Sequence, residues 1–296
     1  MTDRPSPIRV ATWNLWWRFG PWEQRRDAIT AVLADARPDV CGLQEGWAGR
    51  GEHLAALLAE RLGMHWAWTA SPAPERWQER IADPAMEIGN AILSRWPITE
   101  QGSQPLPAGD GADDSRTVLF ARVQTPTGPL PFITTQLTST IGQSLVRCQQ
   151  VAALCRFVVV HAGQGFPPVV TGDLNAEPDA DEIRLLGGHK TAPVVPGLVL
   201  VDAWRYADPM SPGWTWDRRN PYVAATGEPS ARIDYVLVGL PAASGAGQVQ
   251  SARLIGDRPV HGIWPSDHAG VLAELTPPHS GSIGAGGRMP TDRSSC

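Results

Sequence analysis

Apolar residues in this chain fall into short runs, each broken by Gly, Pro or charge. Ile8-Arg9-Val10-Ala11-Thr12-Trp13-Asn14 alternates and ends on Asn14. A period of two predicts a half-buried strand. Asp39-Val40-Cys41-Gly42-Leu43-Gln44-Glu45 is a short apolar run that ends on Glu45. Further strands are predicted over 86–94, 117–123, 130–137, 167–170, 232–238 and 269–275. Helical spacing marks 22–33, 52–62 (closed by Gly63), 144–160 and the short 181–186. In 144–160, Leu145, Cys148, Ala152, Cys155 and Val159 form one stripe. Segments 71–85, 101–114 and 209–230 read as loops, and residues 1–7 as a free end. The stretch 277–296 lacks any pattern and reads as a disordered tail. Strands and helices interleave, with hairpin-like strand pairs between, which fits two packed sheets covered by helices.

Polar residues gather where these strands end. Asn14 and Glu45 close two of them, Asp234 opens another, and Ser266-Asp267-His268 precedes the last. Behind 167–170 comes Thr171-Gly172-Asp173-Leu174-Asn175. Residues i and i+2 of a strand face the same side, so Asp173 and Asn175 can aim at one point. Gly-Asp-x-Asn is equally good turn chemistry, and the segment alone leaves both readings open. Five strand ends carrying such groups are hard to explain by folding alone, because loops held by a rigid sheet are where sites are built.

Composition narrows the field. With 296 residues and 42% hydrophobic content the chain can build one sizeable core. Cys41, Cys148, Cys155 and Cys296 form no disulfide framework, and no zinc-binding spacing occurs. The net charge of −5 argues against a broad basic surface for nucleic acid. It leaves room for local patches such as Arg218-Arg219. Most of the thirteen Trp read as core filler, among them Trp66, Trp68 and Trp96. No apolar run approaches membrane-helix length, and the start lacks the apolar core of a secretory signal. A cytoplasmic monomer without stable membrane insertion is expected.

Trp13-Asn14, Gln44-Glu45, Gly172-Asp173-Leu174-Asn175, Arg232-Ile233-Asp234-Tyr235 and Ser266-Asp267-His268 occur in a fixed order. In that order they resemble the endonuclease/exonuclease/phosphatase superfamily over residues 8–276. The resemblance implies an α/β fold, a four-layer sandwich of two packed mixed β-sheets flanked by helices. It also implies Mg²⁺-dependent hydrolysis of phosphate esters. Leu137-Thr138-Ser139-Thr140 with Arg147 and Gln150, and Thr215-Trp216-Asp217 with Asn220, are similar to the tyrosyl-DNA phosphodiesterase group.

Such hydrolysis must deprotonate a water, neutralise the phosphoryl oxygens and stabilise the leaving oxygen. A hard cation takes oxygen ligands. Glu45 is the first choice, with Asn14 beside it and Asp267 as a further ligand or the holder of a metal-bound water. Mg²⁺ is expected, with Mn²⁺ able to substitute. Asp234 can hold one imidazole nitrogen of His268 and raise its pKa. Asp173 and His268 both qualify as the base, with Asp173 preferred. Asn175 is expected to bond a phosphoryl oxygen. Gln136 departs from the family, which usually has His there; an amide can donate to phosphate but cannot shuttle a proton. Gln136, Asn90, Trp216 and Arg218 are expected to contact substrate, and Glu87 is a candidate former partner of the missing His. The expected substrate is a phosphodiester of a nucleic acid or nucleotide. The alternatives are a sphingomyelinase-like phospholipid, a sugar or inositol phosphate, or a module that binds phosphate ligands without catalysis.

Overall fold

The structure, a computed structural model, describes residues 6–109, 116–163 and 165–278. Residues 1–5 of the expected free end, residues 279–296 of the expected tail and Cys296 lie outside the described residues. β1 (Ile8–Asn14) leads to α1 (Trp22–Ala36), β2 (Val40–Gly49), the two-residue β3 (Glu52–His53), α2 (Leu54–Leu62) and β4 (His65–Ala70). Then come α3 (Glu75–Ile81), β5 (Glu87–Ser94), β6 (Ile98–Pro105), β7 (Thr117–Thr125) and β8 (Gly128–Gln136). They are followed by α4 (Ser144–His161), β9 (Val169–Asp173), α5 (Asp181–Gly187) and β10 (Leu200–Asp202). A 3-10 turn (Ala203–Tyr206), α6 (Pro221–Ala224), β11 (Asp234–Gly239), β12 (Val249–Ile255) and β13 (Gly270–Leu275) complete the order.

The strands form two mixed sheets. One runs β12-β13-β1-β2-β5-β4, with β3 beside β2, and the other β10-β11-β9-β8-β7-β6. Each holds one parallel pair, β1 with β2 and β8 with β9. The pleat sorts the apolar residues into three cores. Val10, Val40, Ile92, Phe132, Val169 and Val236 meet between the sheets. Ala11, Trp13, Cys41 and Leu43 point the other way, onto Ile29 and Leu33 of α1 and Leu54 and Leu58 of α2. Ile133, Val170 and Leu237 face outward onto Val151, Leu154 and Val158 of α4. The result is the expected four layers, helix on sheet on sheet on helix.

Toward one end the inner face turns polar. Continuing inward from Val10, Val40, Phe132 and Val169 in steps of two gives Thr12 and Asn14, Gly42 and Gln44, Thr134 and Gln136, and Thr171 and Asp173. Asp234 pairs with Asp173 on β11. Gln44 bridges the sheets by donating to Thr134 Oγ1 at 2.8 Å. Gly42 permits this approach, because a Cβ there would lie 2.4 Å from Thr171 Oγ1 and 2.5 Å from Thr134 Oγ1.

Several expectations are corrected. Segment 71–85 contains α3, and 101–114 contains most of β6. The expected stripe on α4 is displaced: Leu145 is 73% and Val159 44% exposed, whereas Arg147, Gln150, Val151, Leu154, Cys155 and Val158 are buried. Arg147 and Gln150 are buried by hydrogen bonding, which a hydrophobic pattern cannot register. Trp66 on the edge strand β4 is 42% exposed, and Trp68 and Trp96 are half-buried. The fully buried tryptophans are Trp13, Trp17 and Trp47. Among the described residues no helix is long and apolar enough to cross a membrane.

Candidate active site

The polar end of the inter-sheet face opens into a cleft of about 370 Å³. Glu45, Gln136, Asp173, Asn175, Trp216, Asp267 and His268 line it. Seven residues from five regions of the sequence thus meet in one cleft.

Glu45 reaches the cleft by a backbone irregularity. By the pleat, a residue next to Gln44 would face α1. Instead Glu45 has φ +52°, and the β2–β5 register shifts between Leu43 and Gly46. Such a bulge re-aims one side chain. Its Oε1 accepts from Gln136 Nε2 at 2.7 Å and from Asn14 Nδ2 at 3.2 Å. Asp173 closes β9. Its Oδ1 accepts the Asn175 N–H at 3.0 Å, and Oδ2 accepts from Asn14 at 3.0 Å and Gln136 at 3.2 Å. The Gly-Asp-x-Asn segment therefore forms a turn and also brings Asp173 and Asn175 to the cleft wall. The turn uses one carboxylate oxygen and leaves the other toward Glu45. Asn175, with φ +48°, lies beyond the strand, so a turn rather than the pleat brings it beside Asp173. Its Nδ2 donates to the Leu137 carbonyl at 3.0 Å.

His268 Nδ1 lies 2.9 Å from Asp234 Oδ2, and both residues are buried. Burial works against a charge on His268, but Asp234 and Asp173 outweigh it and hold its pKa well above the usual value. Burial, reinforced by Asp234, raises the pKa of Asp173. Burial also pushes Asp267 up to about 7; His268 opposes this and Glu45 adds to it. Perturbed acids and a charged imidazole in one cleft are a frequent mark of catalytic chemistry.

The surrounding residues are held by hydrogen bonds. Thr215 Oγ1 accepts the backbone N–H groups of Ile233 and Asp234 at 3.0 and 3.2 Å. Asn220 donates to the Ser266 carbonyl at 2.8 Å. Ser266 donates to the Asn14 carbonyl at 2.7 Å, tying the two strand ends together. Arg147 and Gln150 clamp the segment after Gln136: Arg147 donates to the Thr138 and Thr140 carbonyls, and Gln150 to Thr138 Oγ1 at 2.8 Å. The Thr-Trp-Asp and Arg-Gln motifs thus support the site rather than line it, apart from Trp216, whose ring meets His268 edge-on at 5.0 Å.

Other predicted residues are placed differently. Asn14 turns Nδ2 to both carboxylates, while its Oδ1 accepts the Trp16 N–H at 2.9 Å. An amide N–H cannot ligate a cation, so Asn14 here orients Glu45 and Asp173. Asn90 is buried in a small cavity that it lines with Glu45 and Gln136, and it donates to the Thr117 carbonyl at 2.8 Å, joining the sheets. Arg218 is exposed and is not among the cleft residues; its backbone N–H donates to Ser230 Oγ. Glu87 is exposed at the start of β5, where its charge acts on His53.

Three features had no sequence signal. Arg116 donates to Gln136 Oε1 and so fixes which end of that amide faces the acids. Arg25, fully buried, donates to the carbonyls of Leu15, Trp16, Trp17, Phe19 and Pro265, and burial lowers its pKa to about 10. It braces the loop after β1. Helix α3 adds Arg76, Trp77 and Arg80 to the cleft wall.

Oxygen donors dominate the site, which suits a hard cation. Asp173, Asp234 and His268 each offer one ligand atom within 4.8 Å of the others. A ligating imidazole must be neutral, however, and these two acids favour its charged form. Glu45 and Asp267 form a second acidic pair, next to this one in the cleft.

An interleaved two-sheet sandwich with acids, amides and a His–Asp pair at one end defines a class of phosphate-ester hydrolases and nucleases. The chain belongs to the Endonuclease/Exonuclease/phosphatase family, whose model matches residues 11–268. No protein with a curated description matches it in sequence. Among solved structures it is similar to the human Nocturnin catalytic domain with bound sulfate anion (20% identity, 92% of this chain and 94% of that one, TM-score 0.67). It is also similar to TDP2 of D. rerio complexed with single strand DNA product (20% identity, 91% and 99%, TM-score 0.66). A third is the mannosyl-6-phosphatase of Bacteroides thetaiotaomicron VPI-5482 (20% identity, 90% and 99%, TM-score 0.65). At these identities the structures speak for the fold.

Proposed function

We propose that residues 8–276 form one catalytic domain that hydrolyses a phosphodiester of a nucleotide or nucleic acid with the help of Mg²⁺. The observation that carries this reading is the His268–Asp234 pair at 2.9 Å beside Asp173, inside the cleft that also holds Glu45. Glu45 and Asp267 would hold the cation, and Mn²⁺ would serve in its place. Their buried carboxylates suit a divalent ion, since without one Asp267 keeps its proton up to about pH 7. When bound, the cation supplies neutralisation of phosphoryl charge.

The chain's own residues do the rest. Asp173, raised in pKa by burial and Asp234, orients a water and takes its proton. The charged His268 opposes the negative charge that develops on the phosphoryl group. Asp234 fixes the imidazole by accepting from Nδ1. Gln136 and Asn14 hold Glu45 and Asp173 in place, and Asn175 donates to a phosphoryl oxygen with its remaining amide N–H. Gln136 offers no proton at neutral pH, so the leaving group must part without one from that position. A phenolate or similarly stable leaving group meets this demand. The edge of Trp216 against His268 provides an aromatic wall for it.

The nucleic-acid side of the reading draws support from the TDP2 structure, which holds a single strand DNA product. Free, buried Cys41 and Cys155 suit a reducing cytoplasm, and the protein is read as a monomer. The test is hydrolysis of an aryl nucleotide diester, an aryl phosphomonoester and a choline phospholipid, each with Mg²⁺ and with chelator. Chelator-sensitive turnover of the nucleotide diester is expected. Turnover of the phospholipid alone, or none on any substrate, would refute the proposal.

A further inference from the structure

The acids of the site occupy the depth of the cleft, and a different chemistry occupies its rim. Helix α3 places Arg76 and Arg80 four residues apart, hence on one face. Both line the same cleft as Glu45 and His268. Arg80 lies over the Phe19 ring at 4.2 Å, and Arg76 over the Trp77 ring at 5.1 Å. Trp77 is buried and anchors the helix. Among the described residues neither guanidinium has a carboxylate or hydrogen-bond partner. The contrast with nearby Arg18 and Arg50 is direct, since both pair with Asp83.

This arrangement is unlike an ordinary solvated charge. An aromatic face holds a guanidinium by cation–π attraction while leaving its edge N–H groups available. Two such forks side by side match the oxygens of a phosphate. The adjoining wall is aromatic: Trp16, whose ring lies 6.1 Å from that of Phe19, and Tyr222 line the cleft with ring centroids 4.4 Å apart. A base of a single strand can stack on such a wall, whereas a base stacked inside a duplex has no free face.

We infer that α3 forms a second phosphate subsite, at which Arg76 and Arg80 hold a phosphate next to the one being cleaved in a single-stranded nucleotide chain. The inference rests on the phosphodiester reading above and adds the identity of the substrate's flanking group. It also explains how a chain of net charge −5 could engage a polyanion: the cations are concentrated at one rim rather than spread over a surface.

The test is binding, read without turnover. Fluorescein-labelled hexathymidylate is titrated with the full chain in chelator, by anisotropy, for the wild type and the Arg76→Gln/Arg80→Gln variant. Circular dichroism and the urea midpoint check that the variant folds. Each arginine is expected to contribute about tenfold in affinity, as a charge-assisted hydrogen bond does. The same titrations use hexathymidylate with uncharged methylphosphonate linkages. Removing the phosphate charge should weaken the wild type more than the variant, because the variant has already lost the partners of the flanking phosphate and keeps only His268 for the other. Equal affinity of wild type and variant for hexathymidylate would overturn the inference. So would losses that simply add, or duplex binding as tight as single-strand binding. If binding behaves as expected but the wild type cleaves no diester, the subsite stands and the catalytic proposal fails.

Discussion

Arg147 lies under the loop that follows Gln136, and removing it should be costly. Its Nε donates to Glu182 Oε1 at 2.8 Å, with side-chain exposures of 6% and 1%. Its other nitrogens donate to the carbonyls of Thr138, Thr140 and Ile141. In Arg147→Met the volume is roughly kept, but Glu182 is left charged and unpaired in an apolar surrounding. Breaking a buried pair from one side costs about 3–5 kcal/mol. In Arg147→Met/Glu182→Leu no charge is stranded, so the double variant should be more stable than Arg147→Met. Urea unfolding followed by tryptophan fluorescence measures both, with an unchanged slope showing that the compactness of the two states is preserved. Hydrolysis should fall in both variants, since the loop carbonyls lose their anchor. A cost below about 1 kcal/mol for Arg147→Met, or a double variant less stable than Arg147→Met, would show that the pair does not hold this loop.

Three further outcomes are expected. Gly172→Ala places a Cβ 2.1 Å from the Thr135 carbonyl at φ +153°, so it should cost about 3 kcal/mol in urea unfolding and reduce hydrolysis; wild-type stability would contradict the close approach. Asp234→Asn removes the largest influence raising the His268 pKa, so an NMR titration should find that value lowered and turnover reduced about 10²–10⁴-fold; an unmoved titration would remove Asp234 from the pair. Gln136→Met takes away the donor shared by Glu45 and Asp173, and should raise the Mg²⁺ concentration needed for half-activity while leaving the fold intact; an unchanged requirement would limit Gln136 to packing.

What could be read in the sequence follows from what the physics leaves in local pattern. Strands buried between sheet and helix, such as 8–14 and 232–238, carry their hydrophobicity in the chain and were legible. So were the polar residues at their ends, because each sits in a motif whose order survives. Elements whose identity depends on distant partners were not. Strand β6 is mostly exposed and polar, and only pairing with β7 makes it a strand. Strands β4, β10 and β12 are short or lie at or near sheet edges and left no strand signal. Helix α3 lies in a Pro-rich, charged segment and is fixed by burying Trp77. The buried face of α4 contains Arg147 and Gln150, so the apolar stripe chosen from the sequence was rotated off it.

The site was legible in its members and less so in their parts. The motifs name Glu45, Asp173, Asp234, Asp267 and His268, which the fold brings to one end of the two sheets. The orientation of the Asn14 amide and the bulge that turns Glu45 inward depend on backbone geometry that no residue type announces. Arg116 and Arg25 are unmarked in the sequence because their partners lie far along the chain or are backbone carbonyls.

The most direct test is a crystal structure of the protein with Mg²⁺ and a phosphorothioate analogue of a dinucleotide. The account predicts the cation on Glu45 at about 2.1 Å, with the phosphorus atom between Asp173 and His268. A cation seated on Asp173, Asp234 and His268 instead, or a phosphorus atom bound away from that cleft, would contradict it.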